Sequence, residues 1–288
     1  MGKREKRCYD GYLVNPSDPV VMLMPHIMPR RTDSQVQTEV HLDLDKVEAF
    51  IREHKKTDIP ELTLYHFVFA AIARAAFEFP QCNRFVKRYR LWERRHVKIS
   101  MMVKTSLSTD AKESSISPIL QKDHTLKDIV DIIQREASVA LDSSTEENGF
   151  DKLVGILGRI PQFIIRMFIG LMIWLENMGC LPKALQNIQP FHCSFFVTNL
   201  GSIGLPPLYH HLYEFGTCSG FITMGSKQYE LKVNPDGTVK KHKVLPLNFV
   251  GDSRICDGYT YSCMFRALKK CFEHPEILLE SFEESKNK

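Results

Sequence analysis

This 288-residue chain has no long uncharged apolar run, no paired-cysteine motif, no glycine-rich phosphate loop and little net charge. Each absence removes a class of function. The stretch from Phe163 to Leu175 is mostly apolar but runs only 13 residues and contains Arg166. A membrane-spanning helix needs about 20 apolar residues. The stretch reads as a buried or packed amphipathic helix, with loose attachment to a membrane surface as the lesser alternative. The eight cysteines (Cys8, Cys82, Cys180, Cys193, Cys218, Cys256, Cys263 and Cys271) form no C-x-x-C pair. That removes zinc ribbons and thioredoxin-type motifs, and no metal is expected. Residues 1 to 12 lack the apolar core of a secretion signal. A cytoplasmic location follows as the expectation, with reduced thiols serving mostly as small core residues. Nucleotide binding of the P-loop or dinucleotide type has no signature.

Charge is also nearly absent as a net quantity. Thirty-eight Lys and Arg face 34 Asp and Glu, for a net +4, which gives no reason to expect a nucleic-acid partner. One local exception is the basic run from Arg84 to Lys98, with Tyr89 and Trp92 interleaved. Interleaved aromatics occur in single-strand binders, but the period of two favours a strand pair with one solvated basic face.

What is present is an ordinary globular composition, 43% hydrophobic and 25% charged, on a chain long enough for a real core. No repeat, low-complexity tract or Gly/Ser linker divides it. The reading is an N-terminal arm (1–36) and one domain (37–284), with a helical insertion at about 151–187. Gln37 to Leu44 alternates as a strand. Asp45 then caps a helix with Glu48 three residues on. The run Phe67, Val68, Ala70, Ala71, Ala73, Ala75 and Ala76 is apolar almost all round, so its helix, about Thr63 to Phe79, is central and buried until Pro80 stops it. Strands follow at 84–89, 90–94 and 97–105, with a short one at 117–120. Thr125 opens a helix with Asp128 in the capping position and apolar spacing to about Leu141. Ser143 to Gly149 is a loop. Residues 191–199, 220–233 and 238–250 read as strands, the last two joined by the turn Asn234-Pro235-Asp236-Gly237. Asp257–Phe272 and Pro275–Phe282 are closing helices. This order is α+β, a mixed sheet with helices packed on one face, rather than a regular β-α-β alternation.

The densest chemistry lies from Leu247 to Gly258, where a strand ends in a tight charged turn that opens a helix. Asp252, Arg254 and Asp257 form a compact ion-pair cluster at that helix's N-terminus, where the dipole favours an anion; on composition alone a capped helix with an Arg–Asp pair is the simpler reading. His210, His211 and Glu214 lie in Tyr209 to Gly216 and read as a solvated loop or as a source of a base. Adjacent histidines diverge on either a helix or a strand, so the pair is a poor metal site. His192 falls on the period-2 face of Thr198 and reads as a satisfied core histidine. Cys218 and Cys256 could be nucleophiles only with a base beside them.

Asp252-Ser253-Arg254-Ile255-Cys256-Asp257-Gly258 resembles the Asp-His-Arg-x-x-Asp-Gly signature of dihydrolipoyl acyltransferase cores and the His-His-x-x-x-Asp-Gly signature of chloramphenicol acetyltransferases. Upstream, Phe195-Phe196-Val197-Thr198-Asn199-Leu200-Gly201 resembles the same family's Phe-Thr-Ile-Ser-Asn-Leu-Gly, at similar spacing. The helix from Thr63 is a third, weaker match. The resemblance covers roughly residues 37 to 280. It implies a chloramphenicol-acetyltransferase-like fold, a homotrimer, and acyl transfer from coenzyme A or lipoyl thioesters, with no covalently bound cofactor. It places Thr198 as the oxyanion hydroxyl with Asn199 beside it, Asp257 as the residue orienting the site, Asp252 and Arg254 as structural partners, and Gly258 at the turn into the helix. The family's active site lies between subunits, so Ser253 and Thr198 would meet across an interface. The departure is Ser253, which stands where the family has its general-base histidine; a hydroxyl cannot take up a proton at neutral pH as imidazole does. Two readings result: a thioester-handling enzyme whose base is His210 or His211, or a binding protein that keeps the fold without the chemistry. The room before the first strand is too small for a lipoyl domain, and no Asp-Lys-Ala lipoylation site occurs.

Overall fold

The apolar run that begins at Phe67 forms the centre of the molecule. Phe67, Val68, Phe69, Ala71 and Ala76 are almost fully buried. Small alanines let neighbouring elements approach this helix from several sides at once. The computed structural model describes residues 10–16, 18–104, 113–142, 160–178, 180–182, 189–233 and 236–286. Its strands are β1 (Gly11–Leu13), β2 (Gln35–Asp43), β3 (Arg84–Lys87), β4 (Arg90–Arg94), β5 (Val97–Lys104), β6 (Glu113–Ile116), β7 (Ile119–Leu120), β8 (Phe195–Asn199), β9 (Gly220–Met224), β10 (Gln228–Val233) and β11 (Val239–Asp252). Its helices are α1 (Pro19–Ile27), α2 (Asp45–Thr57), α3 (Leu64–Glu78), α4 (Leu126–Asp142), α5 (Gln162–Met178), α6 (Gly258–Glu273) and α7 (Phe282–Lys286).

Among the described residues the main sheet runs β10-β11-β9-β8-β5-β6, with β2 also on β11 and β7 also on β5. β5, β8 and β9 are parallel neighbours; β9, β2 and β10 pair antiparallel with β11. The sheet is mixed, as the sequence suggests. Its two faces differ. Phe195 and Val197, Ile222 and Met224, and Leu245, Leu247 and Phe249 point to the side where α2, α3, α4 and α6 complete the main core. The alternate residues Phe196, Phe221 and Val250 point the other way, onto Cys193, Leu212 and Cys218. That second face is covered by the loop before β9: Thr223 Oγ1 donates to Leu208 O at 2.5 Å and Asn248 Nδ2 to Pro207 O at 3.2 Å.

Several elements differ from their sequence reading for local reasons. Asp45 is the first helical residue rather than the cap: the strand runs straight into α2, and the Asp45 amide donates to Asp43 Oδ1. Glu48 leaves the helix end and accepts from Lys227 and Lys243. The true cap of α3 is Thr63, closed reciprocally by His66. The stretch 220–233 is two strands, broken at Gly225 to Lys227; a Cβ on Gly225 would lie 2.3 Å from Pro207 Cδ. Strand structure before Asn199 begins at Phe195, so His192 precedes it. The segment 275–282 is a 3-10 turn (Pro275–Leu279) followed by α7. The stretch read as an arm contains β1 and α1. The loop 143–149, Cys8, the Asn234-Pro235 pair and most of 151–187 outside α5 fall outside the described residues.

The basic run is the largest difference. Arg84 does face outward and pairs with Glu93 at 3.1 Å. Lys87, Arg94 and Lys98, however, are buried. Arg94 donates to Thr217 Oγ1 and O and lies 4.5 Å from the Phe85 ring centroid. Alternation separates the two faces of a hairpin without saying which one the rest of the chain covers; here the loop before β9 covers the basic one.

Candidate functional site

Arg254 leaves β11 on the turn that follows it and finds Asp252 two residues back. The pair is bidentate, with Nε to Oδ1 at 2.8 Å and Nη2 to Oδ2 at 2.6 Å, and both side chains are buried. The fork geometry suits a carboxylate. Arg254 Nη1 also reaches back to the carbonyls of Met28 and Pro29, at 3.0 and 3.2 Å. Ser253, between the pair, is tied by both its groups to one atom: its amide (2.8 Å) and its hydroxyl (2.9 Å) donate to Ser34 O. The turn is therefore stitched to the segment that leads into β2. Asp257 is not part of this ion-pair cluster. It caps α6, accepting from the Thr260 amide at 2.7 Å, and that hydrogen bond holds its carboxyl below the usual range. A side chain turned to its own helix end cannot also face Arg254.

Ser253, Asp257 and Gly258 line a cavity of about 440 Å³ between β2 and α6. Phe249, Tyr261 and Phe265 give it an apolar back wall, Cys256 a thiol, and Arg266 and Lys269 supply two cations. A Cβ at Gly258 would meet nothing within 4 Å, so the fold does not demand glycine there and the bare backbone leaves the cavity open. Cys256 Sγ lies 3.8 Å from Cys82 Sγ, and among the described residues no base accompanies it. Cys218 is buried, its thiol pushed well up by its neighbour Cys193 and by burial, which makes it a poor nucleophile.

Thr198 is the penultimate residue of β8, half-buried on the loop-covered face, level with Thr223 of β9. Asn199 accepts from the Ser202 amide and so caps the turn that follows. The glycine of this motif has a steric cause: a Cβ at Gly201 would lie 2.5 Å from Gly225 O. The register separates Thr198 from Ser253. Thr198 faces Thr223, Thr223 faces Asn248, and Ser253 lies five residues further along, about 17 Å at the usual rise per strand residue. One protomer does not bring the two hydroxyls together.

His210 stacks on Phe221, with centroids 3.9 Å apart and planes within 7°, and on His211 at 4.5 Å. Phe221 shares the sheet face of Thr198 and Thr223, one step along, so His210 lies over the Thr198 face. Burial pushes its pKa down. Among the described residues neither imidazole hydrogen-bonds Thr198; His210 Nδ1 contacts His211 O. Glu214 accepts from the amides of Arg31 and Thr32. His192 is buried beside Glu176 and Thr217, but its Nε2 has no partner, so it is not the satisfied core histidine of the sequence reading. Asp43, Asp45 and His242 come within metal-ligating distance of one another, a juxtaposition no motif announces. Asp43 Oδ2 already engages His242 at 2.8 Å, and exposed acidic groups of this kind are common without an ion. Among the described residues no helix is long and apolar enough to cross a membrane.

No family sequence model matches the chain, and no curated protein matches it by sequence. Solved structures do. A probable dihydrolipoamide acetyltransferase from Listeria monocytogenes is 17% identical with a TM-score of 0.57, over 91% of this chain and 95% of that one. The cubic core of a pyruvate dehydrogenase multienzyme complex is 14% identical with a TM-score of 0.57, over 97% and 98%. A chloramphenicol acetyltransferase is 11% identical with a TM-score of 0.50, over 90% and 98%. The chain has the chloramphenicol-acetyltransferase-like fold shared by 2-oxoacid dehydrogenase acyltransferase cores.

Proposed function

We propose that this protein binds a coenzyme A-type thioester in the cavity beside Ser253 and does not carry out histidine-dependent acyl transfer there. One observation carries the reading: the residue in the base position is a hydroxyl committed as a donor to Ser34 O. Among the described lining residues there is no imidazole, and Asp257, their one carboxylate, is spent on a helix cap. The apolar wall suits an acyl chain, the open backbone at Gly258 admits a close approach, and Arg266 and Lys269 suit the phosphates of the carrier. A homotrimer belongs to this reading, because Thr198 and Ser253 can share a site only if they come from different subunits. So does a cytoplasmic location, since the described cysteines are free thiols.

A second reading is acyl transfer with His210 as base. It is favoured by the position of His210 over the Thr198 face and by burial, which lowers its pKa and so favours the neutral imidazole a base needs.

Calorimetric titration with coenzyme A, alongside thiol release from acetyl-coenzyme A with thiol, amine and hydroxyl acceptors, separates the two. The first reading expects binding without turnover in the natural chain, and turnover in Ser253→His at least about 10²-fold above it, the usual contribution of a general base. Turnover in the natural chain that vanishes in the His210→Ala/His211→Ala variant would establish the second reading. Absence of binding would overturn the first.

A further inference from the structure

A larger cavity, about 680 Å³, lies on the other side of the Ser253–Arg254 turn. It shares no lining residue with the cavity beside Ser253. Its walls come from Arg31, from β3 and the turn after it, from α5, and from the loop around Gly216. The volume is in the range of small-molecule sites.

Most charges around it are already engaged. Arg31 donates to Cys218 O at 2.6 Å and Gly216 O at 2.7 Å. Arg254 is held by Asp252, and Glu214 accepts two amides. Two groups are left. Lys87 is only 7% exposed, and its ammonium has no hydrogen bond or ion pair among the described residues. Glu176 is 6% exposed, and its Oε1 has no hydrogen-bond partner. His192 Nδ1 lies 3.5 Å from that oxygen, too far for a hydrogen bond. Buried polar groups are nearly always partnered, and a buried unpaired ammonium is costly. Two such buried, unpartnered groups lining one cavity mark it as a binding site.

The backbone supports the same reading. Lys87 enters a two-residue turn in which Arg88 and Tyr89 both have φ of +56°. Such turns are usually Asn-Gly, and a tyrosine in the left-handed region is strained. Tyr89 is braced there by a stack on His26 with centroids 5.1 Å apart. Strain that the surroundings hold in place clusters at functional sites.

We infer that this cavity binds an organic carboxylate with an apolar body, its two oxygens received by Lys87 and Glu176 and its chain by Val86, Ile173 and Met178. Burial pushes the Glu176 carboxyl up, against the opposing pull of Lys87 and Arg31 and of a backbone hydrogen bond from Gly216, and with a small contribution from Asp10; only its Oε1 is left without a hydrogen bond. His192 is held neutral by burial and by the same cations. Lys87 pairs with one oxygen of the ligand, and Glu176 shares a proton with the other. Phosphate fits less well, because the guanidinium of Arg31, the natural fork for it, is spent on carbonyls. The inference is independent of the thioester proposal.

The test is calorimetric titration of the full chain with hexanoate, hexanol and inorganic phosphate. Hexanoate is expected to bind, and hexanol and phosphate at least tenfold more weakly. Lys87→Met should weaken hexanoate about thirtyfold or more, as truncation of a buried charge partner does. Glu176→Gln keeps a donor and removes the competing carboxylate, so it should bind hexanoate at least as tightly as the natural chain. Met178→Trp fills the cavity without touching either charge, and should abolish binding even if Lys87→Met fails to fold. Hexanoate affinity unchanged in Met178→Trp, or phosphate bound more tightly than hexanoate, or no hexanoate binding by the natural chain, would overturn the assignment.

Discussion

Removing the Asp252 carboxylate should expose how much the motif turn depends on one ion pair. Arg254 is 4% exposed, and its Nε and Nη2 are both used on Asp252. In Asp252→Ala the guanidinium keeps only the Met28 and Pro29 carbonyls. A buried cation left without its partner costs about 3–5 kcal/mol. At an m-value of about 3 kcal/mol/M, the urea midpoint should fall by roughly 1–2 M. The diagnostic measurement is the double variant Asp252→Ala/Arg254→Met, followed by circular dichroism in urea. With no charge left buried, it should be more stable than Asp252→Ala alone, and the cycle should show a coupling of about 2 kcal/mol or more. A cost below about 1 kcal/mol for Asp252→Ala, or a double variant whose loss equals the sum of the singles, would refute the claim that this is a desolvated, interdependent pair.

Gly201→Ala should destabilise by about 1–3 kcal/mol, because its Cβ would lie 2.5 Å from the Gly225 carbonyl oxygen, backbone against backbone. Gly258→Ala should stay within about 0.5 kcal/mol of the natural chain, since its Cβ meets open space; thermal melts of both variants check the contrast. Acid should destabilise the protein from about pH 6.5 downward. His66, His96, His192 and His210 all have pKa values lowered from 6.5, chiefly by burial. The unfolded chain then binds more protons between each folded value and 6.5, so stability is present above that window and is lost as pH falls through it. Urea midpoints measured from pH 7.5 to 5 should decline, and His192→Gln should flatten the decline.

The sequence made some of this legible because the information was local. The alanine-rich run states its own burial, and Thr125 with Asp128 forms the reciprocal cap that its spacing implies, at 2.9 and 3.4 Å. The two motifs carried the fold family despite identities of 11–17%. The rest depends on partners far away in the chain. Nothing near Ser253 announces that Ser34 O will accept its hydroxyl, and nothing near Lys87 announces that α5 will bring Glu176 to the same cavity. Asp257 looked like a member of a charge cluster because it is close in sequence; the helix it caps turns it away. The separation of Thr198 and Ser253 follows from strand register, which a motif does not encode.

The stitching of residues 28–34 to residues 252–254 also bears on how the protein is made. Each of those hydrogen bonds spans more than 200 residues, so the closure entropy of nearly the whole chain must be met before any of them forms. During synthesis these three bonds wait until the last strand has emerged, while Arg31 and Thr32 can already hold the loop at 214–218. The cavity beside Ser253 is then among the last features to appear, and a chain halted before Asp252 would carry most of the sheet and only the β2 and Phe249 side of that site.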